Sequence, residues 1–183
     1  MTDLVLTLIG PDRPGLVEAV AEVVARHGGN WLQSRMARLA GKFAGILRVE
    51  IAEDKAQALL AALAELAARG LKITAEPSNE AGLPASGRTL ELELVGLDRP
   101  GIVREISQLF ASSGANVEEL ATDRSSAPMS GEMLFSAKAR MHLPKDADLG
   151  ELRAALERLA SDLVVEIRLV ETALETKPQR APR

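Results

Sequence analysis

Asp12, Arg13, Pro14 and Gly15 form a short segment that returns as Asp98, Arg99, Pro100 and Gly101. An Asn follows each instance at the same distance, Asn30 in the first and Asn116 in the second. A Pro-Gly turn that opens a helix presents unpaired backbone N–H groups and the positive end of a helix dipole, which suit a carboxylate. An Asp there can cap those N–H groups itself, or face outward and bind an ammonium group. Each Asn is expected where the next strand begins, beside the start of that helix across the sheet edge, and its amide both donates and accepts. Together these groups describe an amino-acid site better than a phosphate site, which would want Lys or a longer Gly run. A purely structural account stays open beside it: turn, cap and helix-starting Pro for the four-residue segment, and a left-handed residue after a helix stop for the Asn.

The elements that must hold these residues are themselves duplicated. Leu6-Thr7-Leu8-Ile9 answers Leu92-Glu93-Leu94-Val95, Leu16-Val17 answers Ile102-Val103, and His27-Gly28-Gly29-Asn30 answers Ser113-Gly114-Ala115-Asn116. Matched flanks around a matched motif mean two versions of one module. In the first, Leu4–Ile9 reads as a buried strand. Leu16, Val17, Val20, Val23 and Val24 make a helical stripe that begins after Pro14 in the first turn and stops at Gly28-Gly29. Asn30–Arg38 and Lys42–Ala52 read as strands that turn near Ala40-Gly41. Asp54 is placed to cap a helix over Lys55–Ala68 that Gly70 ends, and Leu71–Glu76 is a last strand.

The order is β-α-β-β-α-β, and the second copy repeats it through Thr89–Val95, Pro100–Ser113, Asn116–Arg124, Met133–His142, Leu149–Asp162 and Leu163–Glu171. This predicts an α+β protein of two ferredoxin-like domains, each an antiparallel sheet with both helices on one face. Domain one is expected over residues 1–76, a linker of turn-forming composition over 77–88, domain two over 89–172 and a flexible tail over 173–183. The copies are unequal at one hairpin, where Ser125–Gly131 replaces a tight turn. Trp31 also stands where the second copy has Val117, and is read as a core, interface or pocket aromatic of copy one alone.

Composition excludes several classes. With no cysteine there is no disulfide, zinc–thiolate site or thiol nucleophile. No stretch approaches a membrane span and no leader is evident, so a cytoplasmic protein is expected. A net charge of −4 and 2% aromatic residues argue against direct nucleic-acid binding, which asks for a basic face or stacking platforms. His27 and His142 lack companion ligands for a metal, and His27 fits a helix-end role. Ser34 and Ser136 have no His/Asp pattern around them. No cofactor and no catalytic residue are expected. An acylphosphatase-like hydrolase on this fold would need N–H groups that Pro14 and Pro100 remove.

With Asp-Arg-Pro-Gly between strand one and helix one, and Gly-x-Asn leading into strand two, the βαββαβ module resembles the ACT domain, a small regulatory module of amino-acid-metabolism proteins. The resemblance covers about residues 3–172. Two copies without a catalytic domain resemble, more narrowly, tandem-ACT transcriptional regulators of glycine cleavage. Asn30–Leu39 and Met141-His142-Leu143-Pro144 carry that part of the likeness. The resemblance implies a non-enzymatic sensor that binds a small amino acid, glycine or serine, at ACT interfaces. It implies contacts from Asp12, Arg13, Pro14, Gly15 and Asn30, and from Asp98, Arg99, Pro100, Gly101 and Asn116. It further implies a homodimer and a protein partner, a DNA-binding activator, rather than DNA. Trp31 and the Ser125–Gly131 loop depart from the family pattern. The alternative is a ligand-free interaction module that regulates an amino-acid-metabolism enzyme.

Overall fold

The structure is a computed structural model and describes residues 1–78, 86–128 and 130–172. The chain forms two units, Met1–Ala81 and Gly82–Arg183. The first contains strand β1 (Thr2–Pro11), helix α1 (Leu16–Arg26), β2 (Asn30–Leu39), β3 (Lys42–Ile51), α2 (Glu53–Glu65), a 3-10 turn (Leu66–Arg69) and β4 (Lys72–Pro77). The second contains β5 (Gly87–Leu97), α3 (Ile102–Ser112), β6 (Asn116–Ser126), β7 (Met133–Pro144), α4 (Leu149–Leu163) and β8 (Val165–Thr172). Each has one four-stranded sheet, ordered β2-β3-β1-β4 in the first and β6-β7-β5-β8 in the second. All pairings are antiparallel. The expected βαββαβ module is present twice.

Period-two alternation puts Leu4, Leu6 and Leu8 of β1 on the face that the helices cover, with Leu47, Val49 and Ile51 of β3 beside them. Helix α1 closes this core with Leu16, Val20, Val23 and Val24, and α2 with Leu59 and Leu63. The second unit repeats the scheme through Leu90, Leu92 and Leu94 under Ile102, Ile106 and Phe110 of α3 and Leu152 and Leu156 of α4. No helix among the described residues is long and apolar enough to cross a membrane.

Several local expectations shift. Pro14 lies ahead of α1 rather than in its first turn, because Gly15 at φ 85° makes the left-handed residue from which the helix starts. Asp54 does not cap α2: the flanking residue is Ala52, and Asp54 sits inside the first turn, where its charge favours the dipole. The helix tightens into the 3-10 turn before Gly70 ends it at φ 80°. The expected linker narrows, since Pro77 belongs to β4 and Gly87 and Arg88 to β5. Its residues 79–85, and the tail 173–183, lie outside the described residues. In the long hairpin, Ala127 N–H donates to Glu132 O at 2.8 Å, closing the loop above β6 and β7.

Both copies carry a Gly at the end of their central strand for the same reason. A Cβ on Gly10 would stand 2.7 Å from the Gly70 carbonyl oxygen, and one on Gly96 would stand 2.3 Å from Val165 Cγ1. Forcing a methyl group into a closed contact typically costs about 1–3 kcal/mol. Gly10→Ala and Gly96→Ala are therefore each expected to lower unfolding stability by about 1–3 kcal/mol. Urea denaturation followed by circular dichroism measures this, and a variant as stable as the wild type would show that the strand end is not closely packed.

Candidate functional site

The loop after the central strand is fixed the same way in both units. Asp12 N–H donates to Gly41 O at 2.9 Å, and Asp98 N–H donates to Met133 O at 2.8 Å, each extending the sheet ladder by one bond. The Asp side chains turn toward the far end of the neighbouring hairpin. Asp12 Oδ2 lies 3.4 Å from Arg38 Nε, and Asp98 Oδ2 lies 2.6 Å from Arg124 Nη2. Neither Asp caps its helix. Gly15 and Gly101, both left-handed, precede α1 and α3, and neither helix has a side-chain cap bond. The helix starts thus keep the N–H groups that an anion needs. Arg38 and Arg124 escaped the sequence reading because they lie one strand away from the motif. The signal was available: each follows its Asp at one spacing in both copies.

Asn30 and Asn116 are not beside these loops. The helix carries the chain back along the sheet before β2 begins, so Asn30 pairs with Glu50 while Pro11 pairs with Lys42, at the opposite end of β3. Asn116 pairs with His142 in the same way. A strand of ten residues at roughly 3.3 Å per residue puts about 30 Å between the two ends. The expectation that Asn30 and Asn116 adjoin the start of helix one is corrected. Within one module the Asp and the Asn cannot touch a common small ligand.

What the loop of the first unit does adjoin is a hollow of about 340 Å³ between the start of α1 and the end of the 3-10 turn. Arg13, Glu18, Glu22 and Arg69 supply its charged lining, with Pro14, Leu66 and Leu71 as apolar walls. The Arg13 guanidinium donates to the Arg69 carbonyl and ties the loop to the 3-10 turn. Glu22 is engaged by Arg26 one helical turn on. Among the described residues no basic side chain pairs with Glu18 and no acidic one pairs with the Arg69 guanidinium. Opposite charges that share a hollow without cancelling each other are what a zwitterion needs.

The second unit departs here. Arg99 folds onto its own helix and meets Glu105 Oε2 at 3.0 Å. The place of Glu18 is taken by Arg104, and that of Arg69 by the buried Leu163. Glu18, Glu22 and Arg69 were missed in sequence because each looks like an ordinary surface charge on a helix.

Other titratable groups point elsewhere. His27 Nδ1 lies 2.8 Å from Val23 O at the end of α1, in keeping with a helix-end role. His142 is buried on β7, and its ring occupies the space a Gly87 side chain would take. On the open face of the second sheet, the Lys138 ammonium 2.8 Å from Glu93 holds that carboxyl below its ordinary range and is itself pushed up by the same hydrogen bond.

Fold and loop together define a class. The ACT domain family model matches residues 2–75, and the second unit repeats that architecture strand for strand. The first unit is an ACT domain and the second is ACT-like in architecture, so the chain is a tandem of two such modules. It is similar to the glycine cleavage system transcriptional repressor of Escherichia coli, 24% identical over 164 residues, covering 87% of this chain and 85% of that protein. A UPF0237 protein of Methanococcus maripaludis is 32% identical over 79 residues, covering 43% of this chain and 81% of that one. A crystal structure of an unknown protein from Galdieria sulphuraria superposes with a TM-score of 0.81 at 31% identity, covering 94% of this chain and 99% of that one.

The loop ion pairs are exposed on the Arg side, 73% for Arg38 and 62% for Arg124, so their worth is that of surface pairs. Double-mutant cycles of Asp98 with Arg124, and of Asp12 with Arg38, should give coupling below about 1 kcal/mol. The value should be larger for the shorter pair and should shrink as salt rises. Equal coupling in low and high salt would show that these contacts are not electrostatic ties.

Proposed function

We propose that this chain is a non-enzymatic regulator that senses a small amino acid, glycine or serine, and acts by protein–protein contact. The observation that carries the reading is the hollow beneath Arg13, Pro14 and Gly15, which offers uncancelled charge of both signs. The ligand carboxylate pairs with Arg13 and Arg69 near the uncapped start of α1, and its ammonium group pairs with Glu18. Asp12, held by Arg38, fixes the loop from its other side.

Asn30 and Asn116 contribute where a second ACT module approaches, as sites at ACT interfaces require and as a homodimer would supply. Asp98, Arg99, Pro100 and Gly101 form the corresponding loop of the second module, and its closed Arg99–Glu105 pair favours a structural role there. The similarity to the E. coli repressor over most of both chains supports control of glycine cleavage. The acidic balance and scarcity of aromatics support a protein partner, a cytoplasmic DNA-binding activator, over direct contact with DNA. The closed loop of module two favours, for that loop, the reading of an interaction surface that takes no amino acid.

Calorimetry of the purified chain against glycine and serine tests the assignment. One of them should bind saturably, at least tenfold more weakly in Glu18→Gln and in Arg69→Gln, and unchanged in Arg99→Ala. No heat with any proteinogenic amino acid would dispose of the sensor reading. Binding indifferent to Glu18→Gln and Arg69→Gln would dispose of the site.

A further inference from the structure

The second module carries a hollow that the first does not share in kind. It lies between α3 and the edge strand β6, has a volume of about 160 Å³, and takes into its lining Val103, two residues past the Asp98–Gly101 loop. Its floor is Leu92, Phe135, Ala137 and Ala139, all buried, and its walls are Ile106 and Phe110 on one side and Val117 and Leu120 on the other.

The repeat explains why it is open. Trp31 and Val117 sit at the same register position, opposite Val49 and Met141. Met36 and Thr122 do likewise, opposite Gly45 and Ala137. In the first module Trp31 and Met36 pack onto the core, and the Met36 side chain lies across Gly45, where a Cβ would come within 2.6 Å of its Cγ. In the second, Val117 and Thr122 are too short to reach over the floor, and Ala139 replaces Leu47 beneath them. Leu120, 51% exposed, overhangs the gap.

We infer that this groove is a binding site for a small molecule bearing one compact apolar ring, of benzene to indole size. Three observations select that occupant. The framework of the first module fills the equivalent space with an indole of its own. An apolar cavity of about 150 Å³ lined by Leu, Ile and Phe is known to stay dry and take benzene. The lining holds no charged side chain and only two hydroxyls, Ser107 and Thr122, so it offers nothing to a charged ligand. A docked helix or strand would need a run of such hollows, and this one accommodates a single ring. The site does not depend on the amino-acid reading, because it lies in the other module and shares no residue with that pocket.

Indole is a suitable probe, with the full chain titrated by calorimetry and by methyl NMR. Saturable binding of one indole per chain is expected, with ring-current shifts at Val103, Ile106 and Leu120 and none at Leu66 or Leu71. Val117→Trp and Thr122→Met, which restore the residues of module one, should each weaken it at least tenfold while circular dichroism stays native. If Val117→Trp fails to fold, Thr122→Met and the methyl shifts carry the comparison. No saturable binding, shifts only outside the groove, or indifference to both substitutions overturns the proposal. Self-association that Val117→Trp abolishes, without indole binding, also overturns it and makes the groove an interface between copies.

Discussion

In each module the central strand must run past the point where the chain leaves its second helix, and the gap admits no side chain. Gly10 faces the Gly70 carbonyl there, and Gly96 faces Val165. That contact sets the height at which the following loop stands, and much else depends on it. It lets Asp12 and Asp98 add a last rung to the sheet and turn their carboxylates toward Arg38 and Arg124. It brings Arg13 against the end of the 3-10 turn, so that the loop roofs a hollow instead of projecting into solvent. The left-handed Gly15 and Gly101 then start the helices without a side-chain cap. The motif is thus first a solution to backbone crowding, and its capacity for ligands is built on that solution.

Duplication has kept what the backbone demands and released the rest. The retained features are the two glycines at the strand end, the two left-handed helix starts and the two Asp–Arg pairs. The ion pairs are too exposed to contribute much stability, and their weight lies in orienting the loop. Released positions include Glu18 against Arg104, Arg69 against Leu163 and Trp31 against Val117. Each exchange changes what a hollow can hold without touching the frame. One module therefore presents a charged pocket beside its loop, and the other an apolar groove beside its edge strand.

The frame was legible in sequence for physical reasons. Strands with Leu at alternate positions and helices with Val or Leu at helical spacing each have one way to bury their apolar face, and the repeat doubled every signal. The site was less legible. Asn30 is expected beside the start of helix one, yet it follows the end of that helix in the chain. An 11-residue helix rises roughly 1.5 Å per residue, so its two ends lie about 16 Å apart, and the strand that follows starts at the wrong end. Arg38 joins Asp12 across a hairpin, and Arg69 lines one hollow with Glu18 from a separate element. Such meetings are made by tertiary packing, and no local pattern announces them.

The separation of Asp12 from Asn30 has a thermodynamic consequence for a sensor. A small ligand that contacts the loop of one module and the Asn of another must hold two modules together, since no single module offers both. Its binding is then linked to module pairing, and the linkage is reciprocal: pairing raises affinity by the factor by which ligand raises pairing. A ligand confined to the hollow under Arg13 has no such obligation and shifts an assembly only through its differential affinity for two arrangements of the loop. The Arg13 tie to the Arg69 carbonyl is the element that can register it, because a carboxylate in the hollow competes for the same guanidinium. Concentration dependence separates the two modes. In the first, ligand affinity rises with protein concentration; in the second it does not.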